Sequence, residues 1–289
     1  MQPTLYIVAT PIGNLSDLSS RARATLSAVA FVACEDTRHT AKLLSHFEIR
    51  VPTTSLHEHN EKGKSEELIA RLIQSEQKSA AIVSDAGTPC ISDPGTILVD
   101  AAHRANVRVI SVPGPSALTS ALAASGFLQP RQIFSAFLPR HAKEQTEEFR
   151  RWEYVAPCVA VFYESPTRLA STLAHLKTYF GDNTEICLSR EISKIHEEHM
   201  RGKIEHILEQ LDTREHSAGE CAICVNVSAQ KLPETQLRLS MEEATSAVLE
   251  SVKNGMRLKD VVRDLAKAHN LDPRILYKIA AERHENEKG

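Results

Sequence analysis

Short apolar runs alternate with amphipathic segments through the first half of the chain. Apolar runs bounded by turn-forming residues predict buried strands at residues 5–9, 31–34, 53–56, 80–83 and 107–112. Apolar positions at helical spacing, such as Ala22, Leu26 and Val29, predict helices at residues 21–29, 40–47, 66–73, 96–105 and 117–124. This regular alternation of strands and helices predicts a mainly parallel sheet with helices on both faces.

The second half continues this alternation and then loses its strand signal. After a boundary at residues 127–130, strands are predicted at 158–163, 186–188, 197–201 and 221–227, and helices at 143–154, 169–179 and 204–211. Further on, only helices are predicted, at 240–253, 258–269 and 273–285, with a capping box at Ser240 and Glu243 and a stop at Gly255. The chain is therefore predicted to hold an N-terminal α/β domain (1–130), a second α/β domain (131–231) and a small all-α appendage (232–289).

Composition narrows the possible classes of function. The chain has 289 residues, of which 42% are hydrophobic, and a formal net charge of −3, so a nucleic-acid partner requires a local basic surface. The sequence contains no run of 18 apolar residues, which argues against a membrane span. Six dispersed cysteines fit a reducing cytoplasm better than a disulfide scaffold. Cys221 and Cys224 have the spacing of metal ligands, but a strand points residues i and i+3 to opposite faces, which favours two core cysteines.

Three predicted strands end in loops rich in glycine, proline and small polar residues. These loops comprise residues 10–17, 84–95 and 113–117. The carboxyl ends of parallel strands meet at one edge of a sheet, and open α/β sheets bind ligands at that edge. Gly87 permits close backbone approach, and Asp85 suits a ribose or an amine of a cofactor. Ser116 is expected to cap the next helix. The alternative for the first loop is an ordinary turn capped by Asp17.

The segment Glu35 to Thr40 carries two acids, an arginine and a histidine directly after a predicted strand. One interpretation is a helix N-cap formed by Asp36 or Thr37. The other is a group of polar side chains that positions or deprotonates a substrate hydroxyl, with Glu35, Asp36 and His39 as candidate bases and Arg38 orienting a phosphate or lowering the pKa of the hydroxyl.

Further polar residues are candidates for substrate contact. His57 and Asn60 follow a short predicted strand. This segment could form a metal site, contact the substrate or be a surface loop. The sequence shows no clear third ligand for a metal. Arg168, Arg190 and Lys194 are candidates for phosphate contacts, although Arg190 could simply pair with Glu191. Between residues 253 and 283, eight Lys or Arg face four acids. This surplus and the helix-turn-helix spacing of residues 258–280 favour RNA contact, with a solvated helix bundle as the alternative.

With these loops in view, the chain resembles the ribosomal RNA small subunit methyltransferase I family of the tetrapyrrole methylase superfamily. The resemblance runs over nearly the whole chain in order. Its segments are LYIVATPIGNLSD (5–17), EDTRHT (35–40), HEHNE (57–61), SDAGTPCISDPG (84–95), PGPS (113–116), FLP (137–139), FYESPTR (162–168), Arg190-Glu191 and LYK (276–278). Two positions depart from the usual pattern: Ala136 stands where the family usually has glycine before FLP, and Ser217 to Glu220 replaces a Lys-Gly-Glu turn.

The resemblance implies a fold and an activity. The fold is two α/β domains of the tetrapyrrole methylase (class III SAM methyltransferase) type plus a small C-terminal all-α domain. The activity is S-adenosylmethionine-dependent methylation of the ribose 2′-hydroxyl of a decoding-centre cytidine in 16S rRNA of the small ribosomal subunit, by a homodimer in the bacterial cytoplasm. One alternative is a methylase of a tetrapyrrole precursor, which would need neither the basic appendage nor the EDTRHT segment. The other is a non-catalytic nucleotide-binding module, which would bind the cofactor but transfer nothing.

Carried over by position, the resemblance also implies site residues, and it implies no metal. The cofactor S-adenosylmethionine would contact Pro11, Ile12, Asp85, Thr88, Ser116, Ala117 and Tyr163. The substrate would contact His57, Asn60, Arg168, Arg190 and Lys278.

Overall fold

The computed structural model describes residues 2–212, 219–228, 241–253, 256–269 and 271–286. Within these ranges the chain forms two five-stranded sheets, and it divides into two compact units, Met1–Ser228 and Ala229–Gly289. Both sheets lie in the first unit. The α/β fold class with a helical C-terminal part is confirmed. The finer division into domains at residues 130 and 231 stays a prediction.

The first sheet is entirely parallel, as the alternation predicted, with strand order β3-β2-β4-β1-β5. Its strands are β1 (Thr4–Val8), β2 (Phe31–Cys34), β3 (Thr53–Ser55), β4 (Ser79–Val83) and β5 (Arg108–Val112). Its helices are α1 (Ser20–Ala28), α2 (Thr37–His46), α3 (Glu61–Gln74), α4 (Thr96–Arg104) and α5 (Ala117–Ser125). Because all five strands run the same way, the loops that follow β1, β2, β4 and β5 meet at one edge.

Apolar side chains on both faces of this sheet are buried. In β2, Phe31 and Ala33 pack into one core cluster, whereas Val32 and Cys34 pack into another. This alternation follows from the two-residue period of a strand. A strand buried on both faces is continuously apolar, which explains why the sequence located β2 and β4 well.

The second sheet is mixed, with strand order β6-β7-β10-β8-β9. Its strands are β6 (Gln132–Phe137), β7 (Cys158–Glu164), β8 (Glu185–Arg190), β9 (Glu198–Lys203) and β10 (Cys221–Val227), and its helices are α6 (Ala142–Val155), α7 (Pro166–Phe180) and α8 (Ile204–Asp212). Only the β6–β7 pair is parallel. The sequence pattern did not predict β6, because this half-exposed strand lacks clear apolar alternation.

The two cysteines of the Cys-x-x-Cys segment lie on opposite faces of β10, as predicted. Cys221 belongs to the core cluster that contains Trp152, and Cys224 packs with Val161 in another cluster. Burial raises the pKa of the Cys224 thiol to about 12. No group of three or more His, Cys, Asp or Glu that could hold a metal ion occurs among the described residues.

The described part of the second unit consists of the helices α9 (Met241–Lys253), α10 (Leu258–His269) and α11 (Pro273–Asn286). They enclose a core of their own that includes Ala244, Val248, Val262, Leu276 and Ala280. The predicted bounds of α10 are confirmed, whereas the proposed caps at Ser240 and Gly255 lie outside the described residues. In the described chain, no helix is both long and apolar enough to cross a membrane.

Candidate functional site

Hydrogen bonds join the three loops that the sequence singled out. Thr10 and Gly87 exchange two backbone hydrogen bonds of 2.8 and 3.0 Å. The Thr10 hydroxyl also donates to the carbonyl of Ser84 over 3.1 Å. The Thr88 hydroxyl in turn donates to the carbonyl of Pro115 over 3.2 Å. The loops after β1, β4 and β5 therefore form one continuous surface at the carboxyl edge of the first sheet.

Two glycines make this arrangement possible. Gly87 has a φ of +83°, a conformation that residues with a Cβ rarely adopt. Gly13 meets the second half of the first unit: a Cβ added there would lie 2.4 Å from Cγ of Lys194. Next to this approach, the Ser193 hydroxyl donates a hydrogen bond to the Asp17 carboxylate. Asp17 therefore links the two α/β halves, and Asn14 rather than Asp17 caps the short helical turn.

A cavity of about 430 Å³ lies between the joined loops and the second sheet. This volume is in the range of small-molecule binding sites. The first half of the chain contributes Ile12, Asp85, Ala86, Gly87, Thr88, Ile91, Ser92, Asp93, Ser116 and Ala117 to its wall. The second half contributes Phe137, Tyr163, Glu164, Ser165, Pro166, Ile192, Glu220, Cys221 and Ala222.

Six of the seven residues predicted to bind the cofactor line this cavity, and Pro11 precedes one of them, Ile12, in the same loop. Ser116 occupies the N-cap position of α5, as predicted, but its hydroxyl makes no capping hydrogen bond. The first N–H groups of α5 have no intrahelical partner, as at every helix start. Ser116 and Ala117 thus bring a helix N-terminus, with its partial positive charge, to the cavity wall.

Aromatic rings form the wall opposite the loops. The Tyr163 ring packs edge-on against Phe134 and Phe137, with centroid distances of 5.0 and 5.6 Å. Burial raises the pKa of Tyr163 to about 12. Phe137 is 56% exposed, and it follows a register shift in the pairing of β6 with β7. The sequence missed Phe137 as a cavity residue because this irregularity sets its direction.

The register shift also explains why the family usually has glycine at the position of Ala136. Ala136 has a φ of +50°, in the left-handed region that favours glycine. This conformation costs an alanine about 1–2 kcal/mol, whereas glycine adds about 0.5–1 kcal/mol of chain entropy to the unfolded state. We therefore expect Ala136→Gly to raise the free energy of unfolding by about 0.5–1 kcal/mol in urea titrations.

The matched control for this substitution is Ala160→Gly in the buried centre of β7. The backbone of Ala160 is ordinary strand, so the added chain entropy has no compensating relief of strain and the protein should lose stability. A loss of stability in Ala136→Gly comparable to that of the control would contradict the account of the bulge.

Three carboxyl groups gather where the loops after β2 and β4 meet. Asp85 accepts a hydrogen bond from the backbone N–H of Asp36 over 3.2 Å. Burial, with Asp85 nearby, raises the pKa of Glu35. Burial, with Glu35 and Asp85 nearby, raises the pKa of Asp93 to about 6. Asp85 and Asp93 line the cavity. Asp93 was not among the predicted site residues, although a second acid in the same loop as Asp85 was a signal.

The predicted catalytic residues 35–39 do not line the cavity wall. Asp36 caps α2, accepting from the backbone N–H of Arg38 over 2.7 Å and pairing with its guanidinium over 3.0 Å. Hydrogen bonds from Arg38 lower the pKa of Asp36 to about 2. Asp36 therefore has the N-cap role that the sequence left open, and it is a weak base. His39 is exposed on α2, so Glu35 is the member of this group with raised basicity.

Two residues predicted to contact the substrate, His57 and Asn60, form hydrogen bonds with each other. The side-chain oxygen of Asn60 accepts from the backbone N–H of His57 over 2.9 Å, and its amide nitrogen lies 3.1 Å from Nε2 of the His57 ring. The ring of His59 lies edge-on to that of His57, with centroids 6.0 Å apart. These contacts form a local turn before α3. A substrate contact by His57 or Asn60 stays a prediction.

The arginines predicted to contact phosphate have protein partners. Arg168 pairs with buried Glu164 over 3.0 Å and donates to the carbonyls of Leu138 and Pro139. Its guanidinium thus holds the segment that follows Phe137, which accounts for the residue without a phosphate. Arg190 is buried, with Glu198 at 3.6 Å.

Of the two lysines predicted to contact the substrate, Lys194 is paired and Lys278 is exposed. The proposed partner of Arg190, Glu191, bonds Lys194 over 2.9 Å instead. Lys278 is exposed on α11 in the second unit.

The fold and the cavity define a class of protein. Residues 4–208 match the family described as Tetrapyrrole (Corrin/Porphyrin) Methylases. Among solved structures, the chain is similar to a uroporphyrin-III-C-methyltransferase from Thermus thermophilus, with a TM-score of 0.52, 18% identity and coverage of 78% of this chain and 94% of that one. Another structure of that enzyme, complexed with S-adenyl homocysteine, has a TM-score of 0.52, 15% identity and coverage of 76% and 96%. At these identities the likeness shows the fold.

Relatives in sequence narrow the class further. A ribosomal RNA small subunit methyltransferase I from Synechocystis sp. is 38% identical over 96% of this chain and 97% of its own length. Proteins of that name from Streptococcus pyogenes and Vibrio cholerae are 41% and 36% identical, covering 95% and 97% of this chain and 93% and 95% of their own lengths. The chain therefore belongs to the ribosomal RNA small subunit methyltransferase I family of the tetrapyrrole methylases. This is a family of S-adenosylmethionine-dependent methyltransferases.

Proposed function

We propose that the protein transfers a methyl group from S-adenosylmethionine to the ribose 2′-hydroxyl of a decoding-centre cytidine in 16S rRNA. The observation that supports this most is the joining of three family loops, through Thr10, Gly87, Thr88 and Pro115, around one cavity. The sequence relatives named for small-subunit ribosomal RNA match nearly the full chain. The proposed setting is a homodimer acting on the small ribosomal subunit in the bacterial cytoplasm.

The cavity residues suit the chemistry of this cofactor. Tyr163 and Phe137 offer flat apolar surface to an adenine, and the Asp85 carboxylate offers acceptors to ribose hydroxyls. The N-terminus of α5 at Ser116 suits the carboxylate of the methionine end. When bound, the cofactor supplies an electrophilic methyl group on a positively charged sulfur.

The residues of the chain then have two tasks. They must hold the ribose hydroxyl in line with the methyl group, which by itself supplies much of the rate. They must also take up the hydroxyl proton as the new bond forms, because a neutral hydroxyl is a poor nucleophile. Of the bases that the sequence proposed, Asp36 is weakened because Arg38 lowers its pKa to about 2. Burial raises the pKa of Glu35, but this residue is not part of the cavity wall.

The RNA partner is proposed to meet the helices of the second unit. Exposed cations on α10 and α11 and just before them are Arg257, Lys259, Arg263, Arg274, Lys278 and Arg283. Arg263 faces Asp260 and Asp264, and Arg283 faces Glu242. Arg274 and Lys278 lie one turn apart with the half-exposed Tyr277 between them, a combination that fits phosphate contact and base stacking. Since the chain is net acidic, we expect the assembled subunit to be a better substrate than naked RNA.

The experiment that tests the proposed function supplies tritiated S-adenosylmethionine and compares substrates. Small ribosomal subunits lacking the modification should become labelled in the 16S rRNA, and subunits that already carry it should not. A tetrapyrrole precursor should remain unlabelled. Label in the tetrapyrrole would support the alternative methylase, and cofactor binding without transfer to either substrate would support a binding module.

A further inference from the structure

We propose that Asp93 is the catalytic residue that accepts the ribose hydroxyl proton, an inference that rests on the proposed function. Asp93 belongs to the second half of the SDAGTPCISDPG loop, and its side chain forms part of the cavity wall. The residues that the sequence favoured as bases, Glu35, Asp36 and His39, are not part of that wall. A base has to reach the proton that it removes.

Four carboxyl groups line the cavity, and three of them have a hydrogen-bond donor or a cation as partner. Asp85 accepts from the backbone N–H of Asp36. Glu164 accepts from the N–H of Ser165 and pairs with Arg168. Each of these carboxylates is therefore already engaged by a donor of the chain.

Glu220 also has a charged partner, and the surroundings of Asp93 are different. Glu220 has the ammonium group of Lys194 at 3.5 Å. Asp93 faces the hydroxyl of Ser84 and the carboxyl groups of Glu35 and Asp85. These surroundings of Asp93 favour taking up a proton.

The surroundings of Asp93 raise its pKa on balance. Burial is the largest cause of the raised pKa of about 6, the Ser84 hydroxyl lowers it, and Glu35 and Asp85 raise it. On the opposite wall, Tyr163 is neutral at this pH, since its own pKa is about 12. In the same loop, burial raises the pKa of the Cys90 thiol to about 11, so this thiol is neutral as well. An acid in this setting is ionised at neutral pH and still holds a proton better than an ordinary aspartate.

The backbone that carries Asp93 is strained and firmly anchored. Cys90 and Ser92 have φ angles of +71° and +65°, which are uncommon for residues with a side chain. Glu61, at the start of α3, accepts hydrogen bonds at one oxygen from the N–H groups of Gly95 and Ile97, over 2.9 and 2.8 Å. The buried Glu61 carboxylate thus fixes the end of the loop. Strain held in place by such contacts is typical of functional loops.

The proposed step balances in atoms and charge. The ribose oxygen forms a bond to the methyl carbon, and the bond from that carbon to the cofactor sulfur breaks with its electron pair passing to sulfur. The hydroxyl proton passes to the Asp93 carboxylate. The sulfonium charge is thereby neutralised, and Asp93 later releases its proton to water.

The test compares Asp93→Asn with the wild-type protein and with Asp100→Asn. Asp100 is an exposed aspartate on α4, seven residues further along the chain. Single-turnover methyl transfer to small subunits should rise with pH through about 6 and then level off in the wild type and in Asp100→Asn. Asp93→Asn should lower the plateau by about 10²–10⁴-fold and abolish the rise. Its calorimetric affinity for S-adenosylhomocysteine should stay within about threefold of the wild type.

Two outcomes would overturn the assignment. A plateau in Asp93→Asn within about threefold of the wild type would exclude a proton acceptor there. A loss of affinity for S-adenosylhomocysteine that accounts for the whole loss of rate would make Asp93 a cofactor contact.

A separate measurement keeps the inference distinct from the proposed function and from any folding defect of the variant. Carbon-detected NMR of carboxyl-labelled wild-type protein should show the Asp93 carboxyl titrating near pH 6, and titration near the ordinary aspartate value would overturn the assignment. If wild-type protein transfers no methyl group to small subunits, the proposed function fails, whatever the NMR result.

Discussion

Replacing Asp85 with alanine is expected to weaken the binding of S-adenosylmethionine by at least about 100-fold. The carboxylate lines the cavity at the point where the loops after β1 and β4 join. Charge-assisted hydrogen bonds contribute about 1.5–3 kcal/mol each, so the loss of one or two accounts for this factor. Isothermal titration calorimetry with S-adenosylhomocysteine measures the effect directly.

The matched control for Asp85 is Asp36→Asn. Asp36 lies beside Asp85 but caps α2 and is absent from the cavity wall. Asparagine is also a good N-cap, so folding and cofactor affinity should both stay close to those of the wild type. Equal losses of affinity in Asp85→Ala and Asp36→Asn, or a loss below about threefold in Asp85→Ala, would contradict the assignment of the cofactor site.

The double substitution of Arg274 and Lys278 by alanine is expected to weaken binding to the small ribosomal subunit by about 10–100-fold at moderate salt. Both side chains are exposed on α11, one turn apart. Each phosphate contact that is lost should also reduce the slope of log K against log salt by roughly one. Filter binding at several salt concentrations measures both quantities.

The control for this pair is Arg151→Ala, which removes an exposed arginine from α6 in the first unit. It should leave the affinity and the salt slope unchanged, and all three proteins should bind S-adenosylhomocysteine equally. If the double variant keeps the affinity and the salt slope of the wild type, α11 does not contact the RNA phosphates.

Much of the fold could be predicted from the sequence because the first sheet follows simple rules. Strands such as β2 and β4 are buried on both faces and are therefore continuously apolar. Helix α10 has apolar positions at regular helical spacing, and its bounds were predicted correctly. In contrast, β6 is half-exposed and carries a bulge at Ala136, so neither its existence nor the direction of Phe137 followed from periodicity.

The candidate site likewise has a part that the sequence predicted and a part that it did not. The loops after β1, β4 and β5 were recognisable because glycine and proline follow predicted strands, and the parallel sheet brings these loops together. The partners of individual charges were not predictable. Asp36 pairs with Arg38 in its own helix, while Arg168 is held by Glu164 and two carbonyls. Asp93 owes its raised pKa to burial and to the nearby carboxyl groups of Asp85, in the same loop, and of Glu35, which is distant in sequence.

The most direct test of the central claim is to identify the methylated nucleoside. After transfer of a tritiated methyl group to unmodified small subunits, the 16S rRNA is digested to nucleosides and separated by liquid chromatography with mass spectrometry. We predict that the label coelutes with 2′-O-methylcytidine and maps to one decoding-centre position. Label on a base, on another ribose or on no nucleoside at all would contradict the account.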